Sequence, residues 1–249
     1  IVKPKEKMQI CSFLWVYYGY PVSNYENINV DDVRYALGHQ LGERDDTDLE
    51  VVSSIPDSGT CMAIGFSNGK RIPFRKAIVK YTPTWPRSFT PTNQSIRNLV
   101  AKMKLIPNHS ILRNQKIVFC DDSIVRGTQL METVDYLHNN GAEEIHVRSA
   151  CPPLLFGCKF HNFSRSISDL DLITRRTICE LEGKPNEEIT REILDEYVDA
   201  STEKHAAIVE AIRKQMKFDS LKFQTLENTK KAIGIDPCKL CTYCWDGKE

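Results

Sequence analysis

Residues 117–128, Ile-Val-Phe-Cys-Asp-Asp-Ser-Ile-Val-Arg-Gly-Thr, constrain the fold more than any other stretch of the chain. The apolar run Ile117–Cys120 reads as a buried strand that ends in two adjacent carboxylates. A loop containing Gly127 then opens a helix over Thr128–Asn139, which stops at Gly141. An open α/β sheet makes its ligand sites in this way, at the carboxyl end of a strand beside a helix N-terminus. Backbone N–H groups of Ser123, Ile124, Val125, Arg126, Gly127 and Thr128 could surround a phosphate, helped by the helix dipole. Gly127 permits close approach or a positive φ, and the hydroxyls of Ser123 and Thr128 add donors. Asp121 and Asp122 sit oddly before an anion cradle unless they face ribose hydroxyls or a hard cation such as Mg²⁺. A bare Asp-Asp also fits a solvated turn before a helix cap. Walker A spacing and G-x-G-x-x-G are both absent.

The flanking sequence alternates strand-like and helix-like stretches. Leu49–Ile55 reads as a strand stopped by Pro56-Asp57-Ser58-Gly59, followed by a helix over Thr60–Asn68 and a strand around Phe74–Val79. Lys80–Pro91 carries Pro83, Pro86 and Pro91 and reads as a long irregular loop, and Ser95–Lys104 as a helix. Glu144–Ser149 alternates as a strand. This order predicts an α/β fold, a mostly parallel sheet with flanking helices. The aromatic group Phe13, Trp15, Tyr17 and Tyr18 alternates as a strand, which favours packing over base stacking. After Pro152-Pro153, Asn186–Lys217 is charged and helical in period, and a Cys-rich tail closes the chain. The expected organisation is a connector and first strand (1–20), a core (21–160) and a helical extension with its tail (161–249).

Composition limits the function classes. The chain has 249 residues, with 33 Lys+Arg against 33 Asp+Glu, so an anionic ligand needs a local site. Zero net charge argues against broad nucleic-acid binding. No run of ~18 apolar residues suggests a membrane span, and the start is no signal peptide. The first residue is Ile1, which leads us to expect a cut or processed piece. Nine cysteines cannot all pair, so a cytosolic, reduced protein is expected. Cys238, Cys241 and Cys244 form a C-x₂-C-x₂-C run that suits a soft metal or an iron–sulfur site. Cys61 and Cys120 are expected to be small buried hydrophobes. His39, His138 and His205 fall on helices and read as surface or packing residues.

Taken whole, residues 117–128 resemble the phosphoribosyl-pyrophosphate (PRPP) signature of type I phosphoribosyltransferases, in the form DDSIVRGT seen in the glutamine PRPP amidotransferase family. The likeness extends to Cys11–Tyr18, to Arg34, Gly38, Leu41 and Gly42, to Pro56-Asp57-Ser58-Gly59, to Gly141–Arg148 and to Asp219-Ser220-Leu221. It implies a type I phosphoribosyltransferase fold with a hood and a helical extension. Asp121 and Asp122 would bind the ribose 2′- and 3′-hydroxyls and, with Ser58, Mg²⁺. Residues 123–128 would hold the 5′-phosphate, and Asp57, Ser58 and Gly59 would meet the pyrophosphate. Lys80 and Arg87 would close over PRPP. The implied reaction joins ammonia to ribose C1 and releases pyrophosphate. Some members carry a [4Fe–4S] cluster whose ligands map onto Cys11, Cys158, Cys241 and Cys244, with zinc as the runner-up.

The sequence also departs from the family. Family members begin with a glutaminase domain bearing an N-terminal Cys, so free ammonia or ammonia from a separate glutaminase chain is expected here. The family's K-N-R-Y-V-G-R-T-F loop becomes Lys80–Phe89, one residue longer and stiffened by prolines. His161-Asn162-Phe163 replaces a Gly-Ile-Asp segment. A phosphoribosyltransferase for another amine or base, or a non-catalytic PRPP-binding regulator, are the alternatives. A homo-oligomer is the family's habit.

Overall fold

The computed structural model describes residues 7–80, 105–158 and 168–248. Strands β1 (Ile10–Cys11), β2 (Asn24–Tyr25) and β3 (Ile28–Asn29) lead into helix α1 (Val30–Arg44). Then follow β4 (Val51–Ser54), α2 (Thr60–Lys70), β5 (Ile78–Lys80), β6 (Leu105–Pro107), α3 (His109–Leu112), β7 (Lys116–Asp121), α4 (Thr128–Asn139) and β8 (Glu144–Ser149). The second half holds α5 (Ile173–Glu182), α6 (Arg191–Val198), α7 (Glu203–Met216), β9 (Ser220–Phe223), α8 (Leu226–Ile233), β10 (Leu240–Cys241) and α9 (Tyr243–Asp246). The central sheet runs β4-β7-β8-β9, parallel throughout. The β5–β6 and β2–β3 pairs are antiparallel, and β1 pairs with β10 in parallel.

Period-two alternation along β7 divides the core. Ile117 and Phe119 pack with Val134 and Leu137 of α4 and Ile208 and Ile212 of α7. Val118 and Cys120 point the other way, onto Val33 and Leu37 of α1 and Met62 and Phe66 of α2. All four strand residues are buried, as a central parallel strand covered on both faces requires. The helices that follow the neighbouring strands β4 and β7 therefore lie on opposite faces. In open α/β sheets ligands bind outside the carboxyl ends of two such strands.

Helices α1 and α2 touch backbone to backbone. A Cβ on Gly38 would lie 1.9 Å from the Met62 carbonyl oxygen, and one on Gly65 would lie 2.1 Å from that of Tyr35. Gly42 and Gly69 repeat the contact one turn further on, at 2.4 Å each. Asn29 caps α1 by accepting from the backbone N–H groups of Asp31 and Asp32 at 2.8 and 3.2 Å.

Several expected elements differ. The charged stretch Asn186–Lys217, helical in period throughout, is a 3₁₀ turn at Asn186–Glu188 and then the two helices α6 and α7, with a break between them. Asp199 Oδ1 accepts from the Ser201 N–H at 2.9 Å, and Thr202 Oγ1 accepts from the His205 N–H at 3.1 Å. These local bonds satisfy the backbone outside a helix and restart it at Glu203. The aromatic stretch is no strand: residues Leu14–Tyr18 form a π-helical turn with Phe13 and Trp15 buried, while Tyr17 and Tyr18 remain 45% and 38% exposed. The buried Arg34 guanidinium holds this turn by donating to the carbonyls of Trp15, Tyr17 and Gly19, each at 2.9 Å. The strand expected from Phe74 begins only at Ile78, with Phe74 making one isolated bridge to Val52. The loop after Lys80 and the helix expected at Ser95–Lys104 lie outside the described residues.

Candidate active site

Parallel pairing places Ser54 beside Cys120, so the loop leaving β4 and the loop leaving β7 emerge side by side. Residues 55–59 reach back onto the end of β7. The Ile55 N–H donates to the Cys120 carbonyl at 2.9 Å, and Ser58 Oγ donates to Asp121 Oδ1 at 3.3 Å. Gly59 makes that approach possible, because a Cβ there would lie 2.1 Å from the Cys120 carbonyl oxygen. Its φ of −81° is open to any residue, so close approach alone demands glycine. Lys80 stands at the mouth, with Nζ 3.4 Å from Asp57 Oδ2.

The two carboxylates share the strand end. Asp121 Oδ1 accepts from the Asp122 N–H at 2.9 Å, and Asp122 Oδ1 accepts from Ser123 Oγ at 2.6 Å. Desolvation raises the Asp121 carboxyl well above the usual range, and the adjacent Asp122 charge adds to the rise. Desolvation raises Asp122 as well, against the hydroxyls of Ser123 and Ser58 and the nearby Arg34 charge. Paired acids of this kind favour a bound cation or sugar hydroxyls over bulk water.

Gly127 carries a φ of +81°, the left-handed conformation that glycine adopts at no steric cost, and it caps α4. Among the described residues, the backbone N–H groups of Ser123, Ile124, Val125 and Arg126 meet no backbone acceptor. At the start of a helix these N–H groups make a cradle suited to an anion. Ile124 is buried, Val125 half-buried, and Arg126 points outward to Asp171 at 3.7 Å. Thr128 supplies the first residue of α4. Arg87 lies outside the described residues.

The four cysteines expected as cluster ligands are brought round one cavity of about 50 Å³, lined by Cys11, Cys158, Cys241 and Cys244 with Phe13, Thr242 and Trp245. Cys11 and Cys241 are register partners in the β1–β10 pair. The N–H groups of Leu155 and Phe156 donate to the Cys244 carbonyl at 3.0 and 3.1 Å. Burial pushes the Cys11 thiol up to about 11, and burial with the neighbouring Cys158 and Cys11 raises Cys244 further. The four are not drawn in to coordination distances: among the described residues no group of three or more His, Cys, Asp or Glu forms a ready metal site.

The remaining cysteines divide. Cys120 is buried as expected, and Cys238 is exposed. Cys61 is no core residue: it sits half-buried in the first turn of α2 and donates to Asp31 at the start of α1. Residues 170–176, which brace the outer side of the 125–127 loop, carry no motif and are invisible to pattern reading. Only the family resemblance marks Arg34 in the sequence, although a buried arginine beside Asp122 shapes the field there.

No family model matches the chain. It is 32% identical to the amidophosphoribosyltransferase of Methanocaldococcus jannaschii over 238 residues, covering 96% of this chain and 43% of that protein. It is 30% identical to the amidophosphoribosyltransferase of Bacillus subtilis over 243 residues, covering 96% of this chain and 44% of that protein. The structure of glutamine PRPP amidotransferase from B. subtilis complexed with ADP and GMP superposes with a TM-score of 0.76 at 28% identity, over 99% of this chain and 48% of that one. The chain thus spans less than half the length of these relatives. On this footing the chain belongs to the amidophosphoribosyltransferase family and corresponds to its C-terminal, phosphoribosyltransferase portion.

Proposed function

We propose that these residues bind PRPP and transfer ammonia to its C1, giving 5-phosphoribosylamine and pyrophosphate. One observation carries the reading: the strand-end pair Asp121–Asp122 faces the Ser58 loop across the β4–β7 boundary, beside backbone N–H groups that meet no backbone acceptor among the described residues. The cradle of residues 123–128 takes the 5′-phosphate. Asp121 and Asp122 accept from the ribose hydroxyls and hold the ring with C1 toward the 56–59 loop. The ammonia lone pair attacks C1 as the bond from C1 to the pyrophosphate oxygen breaks. The electron pair of that bond leaves with pyrophosphate, and the surplus proton on nitrogen passes to solvent.

Asp121, Asp122 and Ser58 offer the oxygen donors that suit Mg²⁺, which when bound neutralises the leaving polyanion. Lys80, beside Asp57, adds positive charge on the same side of the site, and Arg87 is proposed to join it. The donor set of Cys11, Cys158, Cys241 and Cys244 suits a soft metal centre, a [4Fe–4S] cluster before zinc, that ties β1, the segment before residue 159 and the tail together.

The test is pyrophosphate release by the 249-residue chain with PRPP, Mg²⁺ and ammonium chloride. Release that depends on all three, with glutamine inert, is expected. Turnover with another amine or base but not ammonium would move the reading to a different acceptor. Tight PRPP binding without turnover of any acceptor would favour a regulator.

A further inference from the structure

The phosphate cradle is braced from behind by a segment that no motif marks. Ser168 Oγ accepts from the Leu170 N–H at 3.2 Å, setting a 3₁₀ turn over Asp169–Asp171 that runs into α5. From this corner the Ile173 N–H donates to the Val125 carbonyl at 2.9 Å. The Arg176 guanidinium reaches further. Its Nη1 donates to the carbonyls of Leu170 and Asp171 at 2.7 and 3.1 Å, and its Nη2 donates to the Arg126 carbonyl at 2.9 Å. The Asp171 carboxylate, 3.7 Å from Arg126, keeps that side chain on the outer face too.

In a trans peptide the C=O of one residue and the N–H of the next point in opposite directions. A Val125 carbonyl held outward by Ile173 therefore turns the Arg126 N–H inward. An Arg126 carbonyl held outward by Arg176 does the same for the Gly127 N–H. On the outer face Gly127 packs against the side-chain ends of Ile173 and Met216: a Cβ there would lie 2.8 Å from Ile173 Cδ1 and 2.9 Å from Met216 Sδ.

We infer that Arg176 is a positioning residue for the anion cradle: it fixes the Arg126–Gly127 peptide so that its N–H faces the bound phosphate. The inference rests on the PRPP-binding reading and deepens it. One arginine fork does two jobs here, closing the 169–171 turn and gripping the loop, and a lysine could meet only part of that donor requirement.

The experiment measures the dissociation constants of PRPP and of inorganic phosphate by calorimetry for the wild-type chain, Arg176→Ala and Arg176→Lys, together with KM and kcat. Arg176→Ala should weaken both ligands about tenfold and raise the KM for PRPP by a similar factor while kcat changes less than twofold. Arg176→Lys should recover part of the loss. Wild-type affinity in Arg176→Ala, or a fall in kcat at unchanged KM, overturns the inference. Should the alanine variant fail to fold, wild-type affinity in Arg176→Lys overturns it equally. A wild-type chain that binds neither ligand sinks the PRPP reading itself, which separates the two failures.

Discussion

Gly59→Ala should cripple the site while leaving the fold standing. The backbone conformation at residue 59, φ −81° and ψ −1°, suits alanine, so the substitution introduces no torsional strain. What it introduces is a methyl group 2.1 Å from the Cys120 carbonyl oxygen and 3.0 Å from Asp121 Cα. Close carbon–oxygen contacts settle at about 3.3–3.6 Å, so the 55–59 loop must retreat from the β7 end by about 1 Å. The Ser58–Asp121 hydrogen bond, already 3.3 Å long, does not survive that movement. A misplacement of this size costs on the order of 10²-fold in rate, about 2.7 kcal/mol of transition-state stabilisation. The stability cost of overpacking is about 1–3 kcal/mol. The assay is kcat/KM for PRPP by pyrophosphate release, with urea unfolding run in parallel. Gly69→Ala is the control: its methyl meets the His39 carbonyl at 2.4 Å, at the opposite end of α2. It should lose comparable stability with kcat/KM within threefold of wild type. If Gly59→Ala keeps wild-type kcat/KM, or Gly69→Ala loses as much, the close-approach argument is wrong.

Other outcomes follow from the same geometry. Asp122→Asn keeps the shape of a buried side chain bonded to Ser123 but removes its charge, and should lower kcat at least 10²-fold; wild-type turnover would remove the carboxylate pair from the mechanism. Asp45 and Arg148 form a buried ion pair, supported by Thr47 and Ser220, and Asp45→Asn leaves the guanidinium uncompensated at a cost of about 3–5 kcal/mol in urea unfolding at pH 7. Burial alone would raise the Asp45 carboxyl, but the hydrogen bonds and charge of Arg148 outweigh it and hold the carboxyl far below its ordinary value. Its stabilisation is thus complete above the unfolded carboxylate pKa of ~3.9 and is lost as the pH falls further, so wild-type and variant curves should converge in acid; parallel curves would refute the pairing. Cys244→Ser should lower the iron or zinc bound per chain and the Tm together, measured by elemental analysis and thermal unfolding; an unchanged metal content would exclude this cavity as the centre.

Legibility in the sequence followed how local the determining forces are. Thr128–Asn139 and Glu144–Ser149 were readable to the residue, because periodicity and a terminating glycine set them from within. The positions of the two carboxylates at a strand end and of Gly127 before a helix were readable for the same reason: strand, acids, glycine and helix follow one another in sequence. The break at Asp199–Thr202 hid inside a helical period, since capping hydroxyls also occur on solvated helix faces. The turn at Leu14–Tyr18 depends on Arg34, far along the chain, which gathers three carbonyls that a strand would have spent on a neighbour. Gly38 and Gly42 belong to the family pattern, but their reason lies in the facing backbone of α2. Nothing local marks Arg176, because the Arg126 carbonyl that it grips belongs to another segment.

The β1–β10 pair sets a consequence for how the chain is assembled. Ile10 and Cys11 find their strand partners in Leu240 and Cys241, so the opening and closing segments of the described chain depend on each other. Closing so large a loop directly would cost entropy, and packing of the intervening sheet and helices shortens it first, which places this junction late in folding. Phe13 stacked on Trp245, with ring centroids 5.0 Å apart, then acts as the last latch. Any ligand held by the cysteines between them would report completed folding, and a nick in either end should release both.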